Sequence, residues 1–307
     1  MNHEPNQSDI EIYPPLPLDE WKETNNTLHL WTQIVGKIRL KSTSLTNEWW
    51  NATLYVSPRG LTTSAMPCEN EYFSIEFDFV SHRLIVQTSY NDGFSFDLEP
   101  MTVAEFYHKL MSKLKANGIE VSISPKPDEV ENPIPFADDD EHKSYDAKSV
   151  ERFFRVLMSV DRVFKQFRAL YKGKCSPVHF FWGSFDLAVT RFNGKDAPPR
   201  ENADRITRVA YDQEVISHGF WTGSGFGEPA FYAYAAPEPK GYAESKIKPD
   251  AAFYSKEMSE FFLKYEEVRE SDNPDRMILD FMQSTYEAGA DLAHWNRRDL
   301  EMDWTKF

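Results

Sequence analysis

A side chain that takes part in chemistry must carry a proton, attack a bond or hold a charge, and one stretch of this chain gathers such groups among rings. It runs from Lys174 to Arg191 as Lys-Cys-Ser-Pro-Val-His-Phe-Phe-Trp-Gly-Ser-Phe-Asp-Leu-Ala-Val-Thr-Arg. His179 and Asp186 are its acid–base candidates, because a carboxylate that orients an imidazole is the usual general-base arrangement. His218 is a third catalytic candidate. His29, Arg59, Trp182, Arg191, Tyr232 and Tyr234 are candidates for holding a ligand, the rings by stacking and the cations by charge. The opposing reading makes each histidine a hydrogen-bonded core residue and each ring a piece of core. Polar groups among so many rings need partners either way, since an unpaired buried charge is costly or shifts its pKa.

Other chemistries fit the spacing poorly. Cys175 lies four residues from His179; on an extended strand that is more than ~10 Å, too far for a nucleophile and its base, so Cys175 reads as a structural thiol. Glu214 and His218 would share a helix face only if that stretch were helical. With no His-x-x-x-His or Cys-x-x-Cys, no metal site and no cofactor are expected. Gly223-Ser224-Gly225-Phe226-Gly227 does not lie between a parallel strand and a helix, as phosphate-binding loops do, and reads as a turn or lid.

The elements that must position these groups follow from periodicity. Leu28, Trp31, Val35 and Ile38 recur at helical spacing from about Asn26, and His29, Gln33 and Lys37 line up on another side. Phe73, Ile75, Phe77 and Phe79 alternate with polar residues, and Leu84–Thr88 and Phe94–Leu98 repeat the pattern as an antiparallel meander, turning at Ser81-His82 and Asn91-Asp92-Gly93. Thr102 to Glu105 is a capping box that opens a helix, and Ile119–Ser124 is expected as a short strand. A long helix is expected over Lys148–Tyr171, then strands at Val178–Trp182, Phe185–Phe192 and Ala230–Ala235. A helix starting at Ser255, with Met258, Phe261, Phe262 and Tyr265 as its stripe, and another capped by Asn273-Pro274 complete the chain.

This is an α+β pattern: antiparallel sheets covered by helices, in two halves that each run helix, strands, helix. An ancient duplication is one reading of that plan and coincidence the other. The divisions are a flexible arm at 1–20, a first half at 21–127, an acidic Pro-rich linker at 128–147 and a second half at 148–307, packed as one integrated unit.

Composition narrows the partners. The net charge is −15, from 49 acidic and 34 basic residues, so phosphate backbones are repelled and nucleic acid is excluded. Two cysteines make no disulfide framework. The first 20 residues lack an apolar signal segment, and no stretch is apolar enough to span a bilayer. The expected location is the cytoplasm, with no membrane partner. The 23 Phe, 14 Tyr and 8 Trp supply either a ring-rich core or the walls of a ligand pocket.

Five segments carry a resemblance: Leu28–Lys37, Arg59–Ser64, Lys174–Arg191, Ala251–Tyr254 and Gln283–Glu287. They resemble a bacterial family known only as a domain of unknown function, over nearly the whole chain. The resemblance implies family membership and a single-unit architecture, and brings no activity, cofactor or catalytic residue. Two functions remain: small-molecule binding or enzymatic activity in an aromatic-lined pocket around His179 and Asp186, or a non-catalytic structural or interaction module, with homo-oligomerisation open. A metal-dependent hydrolase is the least supported.

Overall fold

In the computed structural model, residues 11–90, 92–303 and 305 are described; the expected arm over residues 1–10, and Asn91 of the expected turn, lie outside them. Residues 11–17 are not a loose arm. Tyr13 and Leu16 are buried, and the Tyr13 hydroxyl donates to Asp275 Oδ1 at 2.7 Å. The first helix, α1, therefore starts at Leu18 rather than near Asn26 and runs to Ser42.

A first antiparallel sheet follows, of β1 (Tyr55–Val56), β2 (Gly60–Thr62), β3 (Met66–Cys68), β4 (Glu71–Asp78), β5 (Arg83–Thr88) and β6 (Phe94–Asp97), ordered β1-β2-β4-β5-β6 with β3 on β4. Phe73, Ile75 and Phe77 of β4 are buried as the alternation requires. The helix α2 (Val103–Ala116) opens on the Thr102/Glu105 capping box. Residues 119–124 form no strand; the Ile119 amide instead closes α2 by donating to the Leu114 carbonyl at 2.9 Å.

The long helix α3 (Ala147–Ala169) is capped by Asp146, whose carboxylate accepts from the Lys148 and Ser149 amides. It serves both sheets: Phe154 meets Phe79 of the first, while Phe164 and Phe167 meet Phe231 and His218 of the second. That second sheet holds β7 (His179–Phe181), β8 (Asp186–Asp196), β9 (Gln213–Trp221), β10 (Ala230–Ala236), β11 (Phe253–Ser255) and β12 (Glu260–Lys264), in the order β11-β12-β10-β9-β8-β7, with the short helix α4 (Arg205–Ala210) between β8 and β9. Leu54 and Phe180 exchange backbone hydrogen bonds and tie the two sheets together.

One conditional reading and one expectation fail here. Glu214 and His218 lie on a strand, β9, so they cannot share a helix face. The segment from Ser255 is a strand pair, β11 and β12, followed only by the short α5 (Tyr265–Arg269). Phe261 and Phe262, read as one helical stripe, point to opposite sides of β12, and the alternation of Glu260, Phe262 and Lys264 with Phe261, Leu263 and Tyr265 gives the physical reason. The helix that closes the second half is α6 (Pro274–Leu292), and α7 (Arg297–Leu300) ends the described elements. The fold is α+β with two six-stranded antiparallel sheets. No helix among the described residues is long and apolar enough to cross a membrane.

Candidate functional site

Strand alternation splits the second sheet into two unlike faces. One carries Phe180, Leu187, Val189, Ile216, Phe220 and Phe231, all buried against α3 and α6. The other carries, row by row across β7 to β12, His179–Ala188–Gly219–Tyr232–Phe262 and, beside it, Phe181–Asp186–Trp221–Ala230–Lys264. The middle of this second face is made of small residues, Ala188, Gly219, Ser217 and Ala230, and Tyr232, Tyr234, Trp221 and Glu260 are only half-buried there.

Small residues are what let Tyr232 lie down. A Cβ at Gly219 would sit 2.2 Å from its ring carbon Cζ, so only glycine allows the ring to cross β9 and donate its hydroxyl hydrogen bond to Asp186 Oδ2. Tyr234 stacks beside it, ring centres 6.1 Å apart, and is tied to Tyr211 through their hydroxyls at 3.0 Å. The loop after β9 closes one side of the face, where Phe226 stacks on Phe262 at 4.8 Å. The Gly223–Gly227 run is thus a turn whose ring forms a wall, with positive φ at Gly223, Gly225 and Gly227.

Asp186 is the centre of the arrangement. Only 5% of it is exposed, and its Oδ1 is buried with no hydrogen-bond partner among the described residues. Burial pushes its pKa up to about 6, against the Tyr232 hydrogen bond and the nearby Ser184 hydroxyl, which hold it down. Glu260, on the same face, is pushed up to about 7, first by burial and then by the charge of Asp186. Glu129 is the third raised carboxyl: burial lifts it, Ser184 restrains it, and it adds its charge to the field at Asp186. Two carboxyls that change charge near neutrality, beside stacked rings and an unspent acceptor atom, can bind donors or a cation and can move a proton.

Glu129 arrives from the segment expected as a linker, and that segment is held at a definite place. Gln33 on α1 both donates to the Asp128 carbonyl and accepts from the Asp128 amide, each at 2.8 Å. Lys37 pairs with the Asp128 carboxylate at 2.5 Å. His29 Nε2 lies 2.8 Å from the Gly183 carbonyl oxygen, and burial lowers its pKa. The polar line His29, Gln33, Lys37 therefore anchors the loop and the Gly183-Ser184 turn that flank Asp186.

The nine residues singled out in the sequence go to different places. Asp186, Tyr232 and Tyr234 share the half-open face. His179 lies on the same face one row away from Asp186, sealed by Phe181 and Tyr55, with Nδ1 3.2 Å from the Thr53 hydroxyl. Burial pushes its pKa down to about 3, and Arg39 adds to that, so it stays neutral and has no contact with Asp186 as base and orienter. Trp182 is buried on Gly36, its indole N–H donating to the Ala52 carbonyl at 2.8 Å. Arg191 and His218 are on the helix-covered face. His218 Nε2 is 3.0 Å from the Thr285 hydroxyl, and Arg191 is sandwiched by Phe167 and Tyr286 at 3.5 and 4.3 Å. Arg59 is on a turn of the first half, paired with Asp78 at 2.6 Å. Cys175 sits across from Arg191, not His179, and burial pushes its thiol up to about 11.

Glu260, Glu129 and Ser184 were missed. The strand alternation around Glu260 was a usable signal; nothing local marks Glu129, whose place depends on the Gln33–Asp128 contact 95 residues apart in sequence.

Neither a curated protein nor a solved structure matches the chain. A family model does, over residues 13–302, which include the whole of this sheet, α1 and the Asp128–Glu129 loop. The chain belongs to DUF5996, a family of unknown function.

Proposed function

We propose that the half-open face of the second sheet binds a small polar molecule, with Tyr232 and Tyr234 as its platform and Asp186 and Glu260 as its polar contacts. The observation that carries this reading is the Asp186 carboxylate: buried, fixed by Tyr232, and left with one oxygen unpartnered beneath a face of half-exposed rings. A buried acceptor without a partner costs free energy in the empty protein, and a ligand donor that reaches it recovers that cost. The two carboxyls, raised by burial toward neutrality, also equip the site for proton transfer. The reading goes with a cytoplasmic protein acting on a soluble metabolite.

The test is a thermal-shift screen of small polar metabolites, since a ligand stabilises the folded state by mass action. Hits are expected to raise the melting temperature of the parent and to lose most of that shift in Asp186→Asn and Tyr232→Phe. Hits whose shifts survive both substitutions would sink the reading.

A further inference from the structure

A second recess lies on the far side of the same sheet. It is a cavity of about 200 Å3 between the ends of β9 and β10 and the last turns of α6, lined by Val215, Ile216, Ala235, Gly289, Ala293 and Trp295, with Glu214 and Glu238 also on its wall. That is roughly seven water volumes at ~30 Å3 each, the scale of a ligand of a few heavy atoms. The room depends on Gly289: a Cβ there would come within 2.9 Å of Ile216 Cδ1 and 3.3 Å of the Tyr242 ring.

The floor is apolar and the charge is all of one sign. Glu214 Oε2 accepts from the Asn193 amide at 2.5 Å and from the Trp295 indole N–H at 3.2 Å. Glu238 Oε2 accepts from the Tyr254 hydroxyl at 2.5 Å. These neutral donors orient the two carboxylates without cancelling their charge, and neither forms an ion pair among the described residues. One more group wants a partner. Tyr242, fully buried against Gly289, has a hydroxyl with no hydrogen-bond partner among the described residues, and Glu238 is the foremost charge acting on it.

We infer that this cavity binds a short aliphatic primary amine, its stem on the Ile216–Ala293–Trp295 floor and its ammonium held by Glu214 and Glu238. An apolar alcohol would match the floor and leave both carboxylates uncompensated; a carboxylic acid would be repelled; a bare metal ion would find no use for the apolar wall. Only a cation with an apolar body satisfies both parts.

The experiment is calorimetric titration of the full chain with n-butylamine at pH 7.5 and low salt, with n-butanol and butyrate as matched controls. Saturable binding of butylamine is expected, at least tenfold tighter than either control. Glu214→Gln should weaken it about tenfold or more, and Ala293→Leu, which fills the floor while keeping both carboxylates, should abolish it; thermal melts establish that each variant is folded. Should Glu214→Gln not fold, Glu238→Gln reads the same charge. Butanol binding as tightly as butylamine, or butylamine binding unchanged in the folded variants, would overturn the assignment. Asp186→Asn leaves this titration unchanged, which separates the cavity from the half-open face.

Discussion

The two faces of the second sheet are made by the same strands from alternate residues, yet they treat polar groups in opposite ways. On the helix-covered face, Arg191 is fully buried; its Nη2 donates to the Phe167 carbonyl of α3 at 2.5 Å, and three rings, Phe167, Tyr286 and Tyr171, surround the guanidinium. A cation at the C-terminal end of a helix is favoured by the carbonyls gathered there. On the half-open face, Asp186 has one oxygen satisfied and one spare, under rings that reach solvent. Burial alone does not mark a functional group, since Arg191 is the more deeply buried of the two. What separates them is access: Arg191, whose Nε and Nη1 also lack hydrogen-bond partners among the described residues, is walled in by the rings of α3 and α6, while Asp186 lies under a face whose rings reach solvent.

The largest effect that tests this contrast is on stability. Arg191→Ala removes a fully buried side chain whose stem and guanidinium fill space between α3 and α6, and a loss of about 3–5 kcal/mol is expected in urea unfolding. Arg191→Met keeps most of the volume and drops the charge, and should recover most of that loss, because exchanging a buried ion for a well-packed neutral side chain is often close to neutral. If Met were as damaging as Ala, the charge itself would matter there as much as at Asp186, and the contrast would break.

Next in size is the pH dependence of Asp186→Asn. In the folded protein Asp186 titrates at about 6, against 3.8 when unperturbed, so between those values the native state holds a proton that the unfolded chain has released. Stability contributed by this group therefore falls as pH rises through about 4 to 6 and stays lower above. The Asn variant lacks that fall: it should match the parent near pH 4 and exceed it by about 1–3 kcal/mol at pH 7.5. The histidines push the other way. His179 and His218 have lowered folded values, so their part of the stability is lost as pH drops, and only the difference between variant and parent isolates the carboxyl. A difference that stays constant from pH 4 to 7.5 would show Asp186 to be an ordinary, fully satisfied carboxylate.

Much of this contrast was legible in the sequence, and the missing parts have definite causes. Alternation in residues 178–192 placed His179 with Phe181, and Asp186 with Ala188 and Thr190, on shared faces. It said nothing of which face the helices would cover, so Asp186 and Arg191 stood together as candidates although their parity already set them apart. The polar line His29, Gln33, Lys37 was visible, but its partner, the Asp128 backbone, lay in a segment whose prolines and acidic run suggested solvated chain. The Phe261-Phe262 pair misled because two adjacent rings fit a helical stripe and a strand buried on both sides equally well. Glu260 was lost with it.

The smallest effect sharpens the contrast most, because it separates fixing a group from stabilising the fold. Tyr234 stacks on Tyr232 and shares a hydroxyl contact with Tyr211 at 3.0 Å. Tyr234→Phe keeps the ring and its stacking and removes one hydroxyl from a half-buried pair, so a loss of only about 0.5–1 kcal/mol is expected. Tyr211→Phe should cost about the same, and the double variant little more than either alone, since both singles break the same hydrogen bond. A double-variant cycle in urea measures this directly. Losses that add in full, or a Tyr234→Phe cost well above 1 kcal/mol, would mean the tyrosine hydroxyls on the half-open face hold the sheet together, as Arg191 does behind it. Small, non-additive losses instead leave the Tyr232–Tyr234 platform as a surface whose polar edge the fold can spare, and whose partners a bound molecule can therefore replace.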